Sequence, residues 1–248
     1  MKKLVGFVTA SLPNPNFTID LVQSMAQAGL DIVELGVPFS DPVADGAVIE
    51  KASLKAIKSG FKFEDIFDIS AQISNQIDTY IMGYTNMFYK YGFENYIKKA
   101  NSLKIKGSLI PDMPFEESKL YQNIQKKYNH KFIDFVAPTD SKQRIKKLVS
   151  TTSNFVYLVA YAGITGQAKQ TNLSQTIKNI RDTTDTPIYL GFGVDEKNAK
   201  EKSQDVDGLI VGSAFVKHLL DDSLNFKEKL DIITNKTKTI KELICSKD

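Results

Sequence analysis

Eight short runs rich in β-branched and aromatic residues recur along this chain, each separated from the next by an amphipathic or polar stretch of helical character. The runs are Lys3–Thr9, Asp31–Val37, Asp78–Met82, Gly107–Ile110, Phe132–Val136, Phe155–Val159, Pro187–Gly191 and Gly208–Val211. Strands that alternate with helices build a parallel sheet with helical crossovers. The helical readings begin with Phe17–Ala28, where Phe17, Leu21, Met25 and Ala28 share a face and Gly29 supplies the stop. They continue with Val48–Lys58, Phe93–Ala100, Glu116–Lys127, Ser141–Val149, Leu173–Arg181, Ser213–Leu220 and a Lys-rich tail to about Leu243. With strands and helices both at eight, closure into a (β/α)8 TIM barrel is the economical reading. The rival, a doubly wound open sheet, usually carries fewer strands and a Gly-rich turn after the first, where this chain has Ser11-Leu12-Pro13-Asn14. No linker or low-complexity segment divides the chain, so one α/β domain over residues 1–248 is expected.

Charge narrows the partners. Against 32 basic residues stand 29 acidic ones, and a net charge of +3 creates no field that seeks polyanions, so nucleic acid is not an expected partner. No stretch approaches the ~18 apolar residues of a membrane span. The opening Met1-Lys2-Lys3 followed by Leu4–Ala10 has the outline of a secretory signal, but Gly6 and Thr9 interrupt a minimal apolar run, which reads better as a buried strand. The one cysteine, Cys245, can form no internal disulfide and is expected as a frayed surface thiol, which suits a reducing cytoplasm. His130 and His218 are the only histidines and belong to no Cys/His cluster, so no metal site is expected; both are read as surface or helix residues.

In the second strand, period-two alternation puts Ile32, Glu34 and Gly36 on one face and Val33, Leu35 and Val37 on the other. If the apolar face meets the helices, Glu34 projects into the barrel near its C-terminal mouth, where desolvation raises a carboxyl's pKa and leaves it able to donate a proton near neutrality. Alternation alone equally allows a carboxylate facing solvent or a lysine. The following loop, Pro38–Gly46, carries Asp41 and Asp45 between turn formers. Late in the chain, Gly191-Phe192-Gly193-Val194 follows the seventh strand and Gly212-Ser213 opens a helix after the eighth. Unobstructed N–H groups and a helix start after these two strands are where this fold holds a phosphate, whereas either loop alone reads as a tight turn. Thr165-Gly166, after the sixth strand, offers a further hydroxyl and N–H, or simply a flexible lid.

The thirteen residues Glu34-Leu35-Gly36-Val37-Pro38-Phe39-Ser40-Asp41-Pro42-Val43-Ala44-Asp45-Gly46 resemble the signature of tryptophan synthase alpha chains. Further segments resemble the family in the same order: Phe7-Val8-Thr9, Tyr84-Thr85-Asn86, Pro111–Ser118, Tyr157-Leu158-Val159, Gly163–Gly166, Gly191–Val194 and Gly212-Ser213-Ala214, so the likeness runs from Lys3 to about Leu220. It implies retro-aldol cleavage of indole-3-glycerol phosphate to indole and glyceraldehyde 3-phosphate. Glu34 is then the acid at the ring carbon and the base at the C3′ hydroxyl, and Asp45 the anion at the indole nitrogen. Phe7, Tyr84, Ile110 and Tyr157 are candidates to hold the indole, each with ordinary core packing as the alternative; Thr165, Gly166, Gly193, Gly212 and Ser213 are candidates for the phosphate. The resemblance implies no cofactor in this chain and a beta-chain partner carrying pyridoxal phosphate in an α2β2 complex, docked around the loops after strands two and six.

The chain also departs from the family pattern. The family's opening helix, which covers the bottom of the barrel, is missing from this sequence, so something else is expected to cover that end. The usual Gly-Asp-Pro after the first strand is Ser11-Leu12-Pro13, and Tyr161 replaces an arginine before the loop-six glycines. Two other functions fit less well: a related phosphate-binding barrel, which usually recruits a strand-end lysine, and a non-catalytic regulatory subunit, which has no need of both Glu34 and Asp45.

Overall fold

A computed structural model describes residues 1–150, 152, 154–160 and 173–246. Its strands are β1 (Lys3–Thr9), β2 (Ile32–Gly36), β3 (Asp78–Met82), β4 (Gly107–Leu109), β5 (Lys131–Phe132), β6 (Phe135–Val136), β7 (Val156–Val159), β8 (Ile188–Gly191) and β9 (Gly208–Val211). They pair in parallel in the order β5-β4-β3-β2-β1-β9-β8-β7-β6.

The two outermost strands are halves of the expected fifth strand. The Ile133 N–H donates to the Ser108 carbonyl on one side at 2.9 Å, and the Asp134 carbonyl accepts from the Tyr157 N–H on the other at 3.0 Å. Successive residues of one strand thus serve opposite neighbours, so the sheet's edges meet in the continuous segment Lys131–Val136 and the barrel closes.

Around the sheet lie α1 (Pro15–Gln27), α2 (Ala47–Lys58), α3 (Asp65–Ile73), α4 (Thr85–Tyr91), α5 (Phe93–Ser102), α6 (Phe115–Ser118), α7 (Gln122–Lys127), α8 (Lys142–Val149), α9 (Leu173–Arg181), α10 (Ala199–Lys202), α11 (Ser213–Leu219) and α12 (Phe226–Cys245). The helix expected over Glu116–Lys127 is broken: a 3₁₀ turn, Lys119–Tyr121, separates α6 from α7. The pieces α3, α4 and α10 are additions to the helices read from periodicity. Local chemistry sets the starts. Asn14 caps α1 by accepting from the Phe17 N–H at 2.9 Å with Pro15 at the first helical position, and Asn225 and Glu228 form a reciprocal capping box on α12. Ser11 has a left-handed backbone (φ 58°), and its hydroxyl donates to Asp65 of α3 at 3.0 Å, which orders the loop after β1.

The two faces of β1 are distinguished by its glycine. A Cβ on Gly6 would press on Leu30 and Met25, so the even positions face the helical layer and Val5, Phe7 and Thr9 face inward. Glu34 is in register with Phe7 on one side and Tyr80 on the other, and paired residues of a parallel ladder share a face. Glu34 therefore points into the barrel.

At the lower end, Tyr80, Phe155 and Tyr189 fill the interior, with ring centroids 5.3 Å apart for the first pair and 4.6 Å for the second. Gly107 and Gly208 leave the room: a Cβ on either would come within 3.1 Å of Tyr80 or 2.8 Å of Tyr189. At the start of β1, α12 is tied to the sheet through Lys241, which donates to Asp31 at 2.6 Å and to the Lys2 carbonyl at 2.9 Å.

Two sequence expectations need correction. Cys245 is not a frayed surface thiol: it ends α12 half-buried, with Sγ 3.7 Å from the Lys2 carbonyl. His130 is not on the surface. It is fully buried ahead of β5, with Nε2 2.8 Å from Ser108 Oγ, which also contacts the Tyr96 hydroxyl at 2.6 Å; burial lowers its pKa to about 4 and keeps the ring neutral. His218 lies on α11, as expected. Among the described residues no helix is long and apolar enough to cross a membrane.

Candidate active site

At the C-terminal ends of the strands a cavity of about 140 Å³ opens between the ends of β1, β2, β3, β7 and β9, the loop after β2, and the loops that follow β8 and β9. Glu34 lies at its base, 1% exposed, with neither carboxyl oxygen hydrogen-bonded among the described residues. Removal from water pushes its pKa up to about 8. At neutral pH Glu34 is therefore a protonated acid.

Asp45 enters the same cavity from the loop between β2 and α2. Burial raises its pKa to about 6, an effect partly offset by the hydrogen bond it receives from the Tyr84 hydroxyl. That hydroxyl also accepts from the Ala44 N–H at 3.0 Å. One pocket thus holds two carboxyls in different states at pH 7, Glu34 neutral and Asp45 ionised, a separation that assigns acid and anion roles.

Absent side chains on two strands create space for aromatic ones. The Phe7 ring lies over Gly36, where a Cβ would stand 2.5 Å from the ring edge, and the Tyr157 ring lies over Gly191 in the same way, 2.6 Å from a Cβ placed there. Tyr157 packs on Phe135 and Phe192, with centroids at 4.8 and 6.2 Å. Its hydroxyl stays protonated, because burial and the nearby charges of Glu34 and Asp45 all oppose ionisation.

The opposite end of the cavity is lined by main chain. Phe192 and Gly193 are both left-handed, at φ 77° and 65°. The Gly193 carbonyl accepts from Asn198 Nδ2 at 2.9 Å and Lys202 Nζ at 2.6 Å, and the Phe192 carbonyl from Lys202 at 3.3 Å. Across a trans peptide N–H and C=O point in opposite directions, so the Gly193 and Val194 N–H groups are turned away from Lys202. Gly212 caps α11, whose first intrahelical bonds run from Phe215 and Val216 to the Gly212 carbonyl, placing the Ser213 and Ala214 N–H groups in the open first turn. Such amides favour an anion.

The fold brings together Glu34, Asp45, Phe7, Tyr157, Gly193, Gly212 and Ser213. Two candidates lie elsewhere. Tyr84 stacks on Phe39 at 5.2 Å with its hydroxyl turned to the loop after β2, and Ile110 lines a separate hollow with Phe115 and Phe135. Thr165, Gly166 and Tyr161 lie outside the described residues. Ile49, Met82, Phe192 and Ile210 join the wall without having been singled out. Met82 was legible, since alternation from Tyr80 puts it on the inner face, and Phe192 lay inside a loop already noted for its glycines; Ile49 comes from the first turn of α2, where no strand period reaches. Among the described residues no group of three His, Cys, Asp or Glu side chains could hold a metal.

The family described as "Tryptophan synthase alpha chain" matches residues 1–244. The tryptophan synthase alpha chain of Wolinella succinogenes is 51% identical over 99% of this chain and 97% of its own length. Among solved structures, tryptophan synthase subunit alpha from Campylobacter jejuni superposes with a TM-score of 0.84 at 34% identity, covering 96% of this chain and 95% of that one. A chain of Mycobacterium tuberculosis tryptophan synthase superposes with a TM-score of 0.89 at 25% identity, covering 99% and 93%.

Proposed function

This chain belongs to the tryptophan synthase alpha chain family, and from that premise we propose that Glu34 and Asp45 divide the chemistry at the barrel mouth between them. The activity is that of a lyase of tryptophan biosynthesis, the cleavage of indole-3-glycerol phosphate to indole and glyceraldehyde 3-phosphate. The observation that carries the assignment of roles is the pair of carboxyls of unlike pKa facing one aromatic-walled cavity.

Protonated Glu34 delivers its proton to C3 of the indole ring. Positive charge then gathers at the ring nitrogen, where the Asp45 carboxylate balances it and accepts the N–H. Glu34, now ionised, takes the proton of the C3′ hydroxyl as the C3–C3′ bond breaks, so the electrons return to the ring, the aldehyde forms and Glu34 regains its starting state. Phe7, Met82, Tyr157 and Phe192 hold the ring. The phosphate lies against the amides of Gly193, Gly212 and Ser213, with Thr165 and Gly166 assigned by resemblance. These steps are proton transfers between side chains and substrate and use no cofactor in this chain.

Free indole is small and apolar and would be lost to bulk water, so a partner that consumes it is part of the reading. We take that partner to be a beta chain with pyridoxal phosphate, in an α2β2 complex. Support comes from the loop after β2, where a groove of about 650 Å³ is lined by Pro38-Phe39-Ser40, the connection between α2 and α3, and α4, and where Val43 in the same loop is exposed. The whole chain, 1–248, is read as one domain, and the activity is placed in the cytoplasm with the rest of the pathway.

Purified chain incubated with indole-3-glycerol phosphate, with and without a beta chain, tests the function. Indole and glyceraldehyde 3-phosphate should appear in equal amounts, faster in the complex as the loops order. No indole under either condition would refute the activity, and no complex and no rate change would refute the partnership.

A further inference from the structure

We infer that Tyr84, itself held by Asp112, is a positioning residue that fixes where the Asp45 carboxylate stands in the pocket. The inference rests on Asp45 being the anion at the ring nitrogen. Tyr84 grips the loop 38–46 at both ends: its ring stacks on Phe39, with centroids 5.2 Å apart and planes at 27°, while its hydroxyl reaches Ala44 and Asp45. A phenol has one proton. Because the oxygen accepts from the Ala44 N–H at 3.0 Å, its only O–H is free to point at the carboxylate.

The loop's internal bonds are short turns, Val43 N–H to the Asp41 carbonyl at 2.9 Å and Asp45 N–H to the Pro42 carbonyl at 3.1 Å, which bend the chain without orienting the Asp45 side chain. Among the described residues the side-chain hydrogen bond to Asp45 comes from Tyr84, and Tyr84 is fixed in turn from behind. It stands at the N-cap of α4 and supplies no side-chain cap; that office falls to Asp112, in the loop after β4, whose Oδ1 accepts from the Thr85 N–H at 2.9 Å and the Thr85 hydroxyl at 3.0 Å. A continuous line of contacts, Asp112 to Thr85 to Tyr84 to Asp45, thus links the loops after β4, β3 and β2.

The test is the pH dependence of kcat and KM for indole-3-glycerol phosphate cleavage in full-length variants. Among the described residues the titratable groups sharing the pocket with Asp45 or bonded to it are Glu34 from β2, Tyr157 from β7 and Tyr84 itself, with Asp112 behind Tyr84. Tyr84→Phe keeps the ring and the stack and removes only the hydroxyl, so kcat should fall about ten- to a hundredfold with KM changed less than about threefold. Its acidic limb should also move to higher pH, since a donor that favours the carboxylate is gone. Asp112→Ala should show a smaller loss of the same kind, and Asp112→Asn, which keeps an acceptor oxygen for Thr85, should restore it. Tyr84→Phe added to Asp45→Asn should cost nothing further. An unmoved acidic limb and normal kcat in Tyr84→Phe, with Asp45→Asn inactive, would overturn the positioning role alone; activity in Asp45→Asn would overturn the reading beneath it. Equal losses in Asp112→Ala and Asp112→Asn would remove Asp112 from the line.

Discussion

The ring of Tyr157 occupies the space a side chain on Gly191 would need: a Cβ there would stand 2.6 Å from two of its ring carbons. Neighbouring strands β7 and β8 pair Val159 with Gly191, and the missing side chain on one strand lets the aromatic of the other cross toward Glu34. Gly191→Ala should therefore displace Tyr157 rather than unfold the barrel, with an overpacking cost of about 1–3 kcal/mol. A thermal melt lowered by a few degrees beside a loss of cleavage of at least about tenfold is the expected pair of results; full activity would show that Tyr157 does not shape the pocket.

Cleavage should depend on pH as a bell. Asp45 must be ionised, and its pKa of about 6 removes activity below that pH; Glu34 must begin protonated, and its pKa of about 8 removes activity above it. Profiles of kcat/KM for the wild-type chain, compared with Asp45→Asn and Glu34→Gln at their residual rates, check both limbs. A single limb, or a plateau extending well past either value, would contradict the assignment of protonation states.

The same burial makes Glu34 a source of pH-dependent stability. Its pKa is raised from 4.5 to about 8 on folding, so the folded chain binds the proton more tightly than the unfolded one. Stability is complete at low pH and is lost as pH rises through that window. Glu34→Gln removes the dependence and should be the more stable protein at pH 9, by up to about 5 kcal/mol. Urea denaturation of both proteins at pH 5 and pH 9 checks the sign, which is the reverse of that for an ion-paired carboxylate.

Phosphate capture should fail at Gly193. Its backbone is left-handed, at φ 65°, so Gly193→Val both strains the loop and turns its amide. KM should rise at least about tenfold with a smaller change in kcat, and calorimetric binding of glycerol 3-phosphate should weaken in parallel. An unchanged KM would move the phosphate away from this loop.

Much of this was written locally in the chain. Alternation narrowed Glu34 to two faces, and its register with Phe7, on the side of β1 opposite to where Gly6 meets Leu30 and Met25, selected the inner one. What stayed hidden depends on contacts between distant segments. Tyr84 has the position of a pocket wall, and only the direction of its hydroxyl, toward Ala44, reveals a different duty. His130 lies in a polar stretch and is buried because Ser108, 22 residues away, offers it a partner. Between β2 and β3 one crossover helix satisfies a barrel, so nothing in the period of α2 announces α3. The fifth strand reads as one run, since its division into β5 and β6 reflects which neighbour each residue bonds and not a break in extended chain.

The most direct test is single-turnover cleavage of indole-3-glycerol phosphate by wild-type chain and Glu34→Gln, with substrate binding measured separately on each. Glutamine fills the same volume at the base of the pocket and carries no transferable proton. Binding should be kept within a few-fold while the cleavage rate falls by about three orders of magnitude or more. Cleavage near the wild-type rate in a folded, substrate-binding Glu34→Gln protein would contradict Glu34 as the acid and base of the reaction.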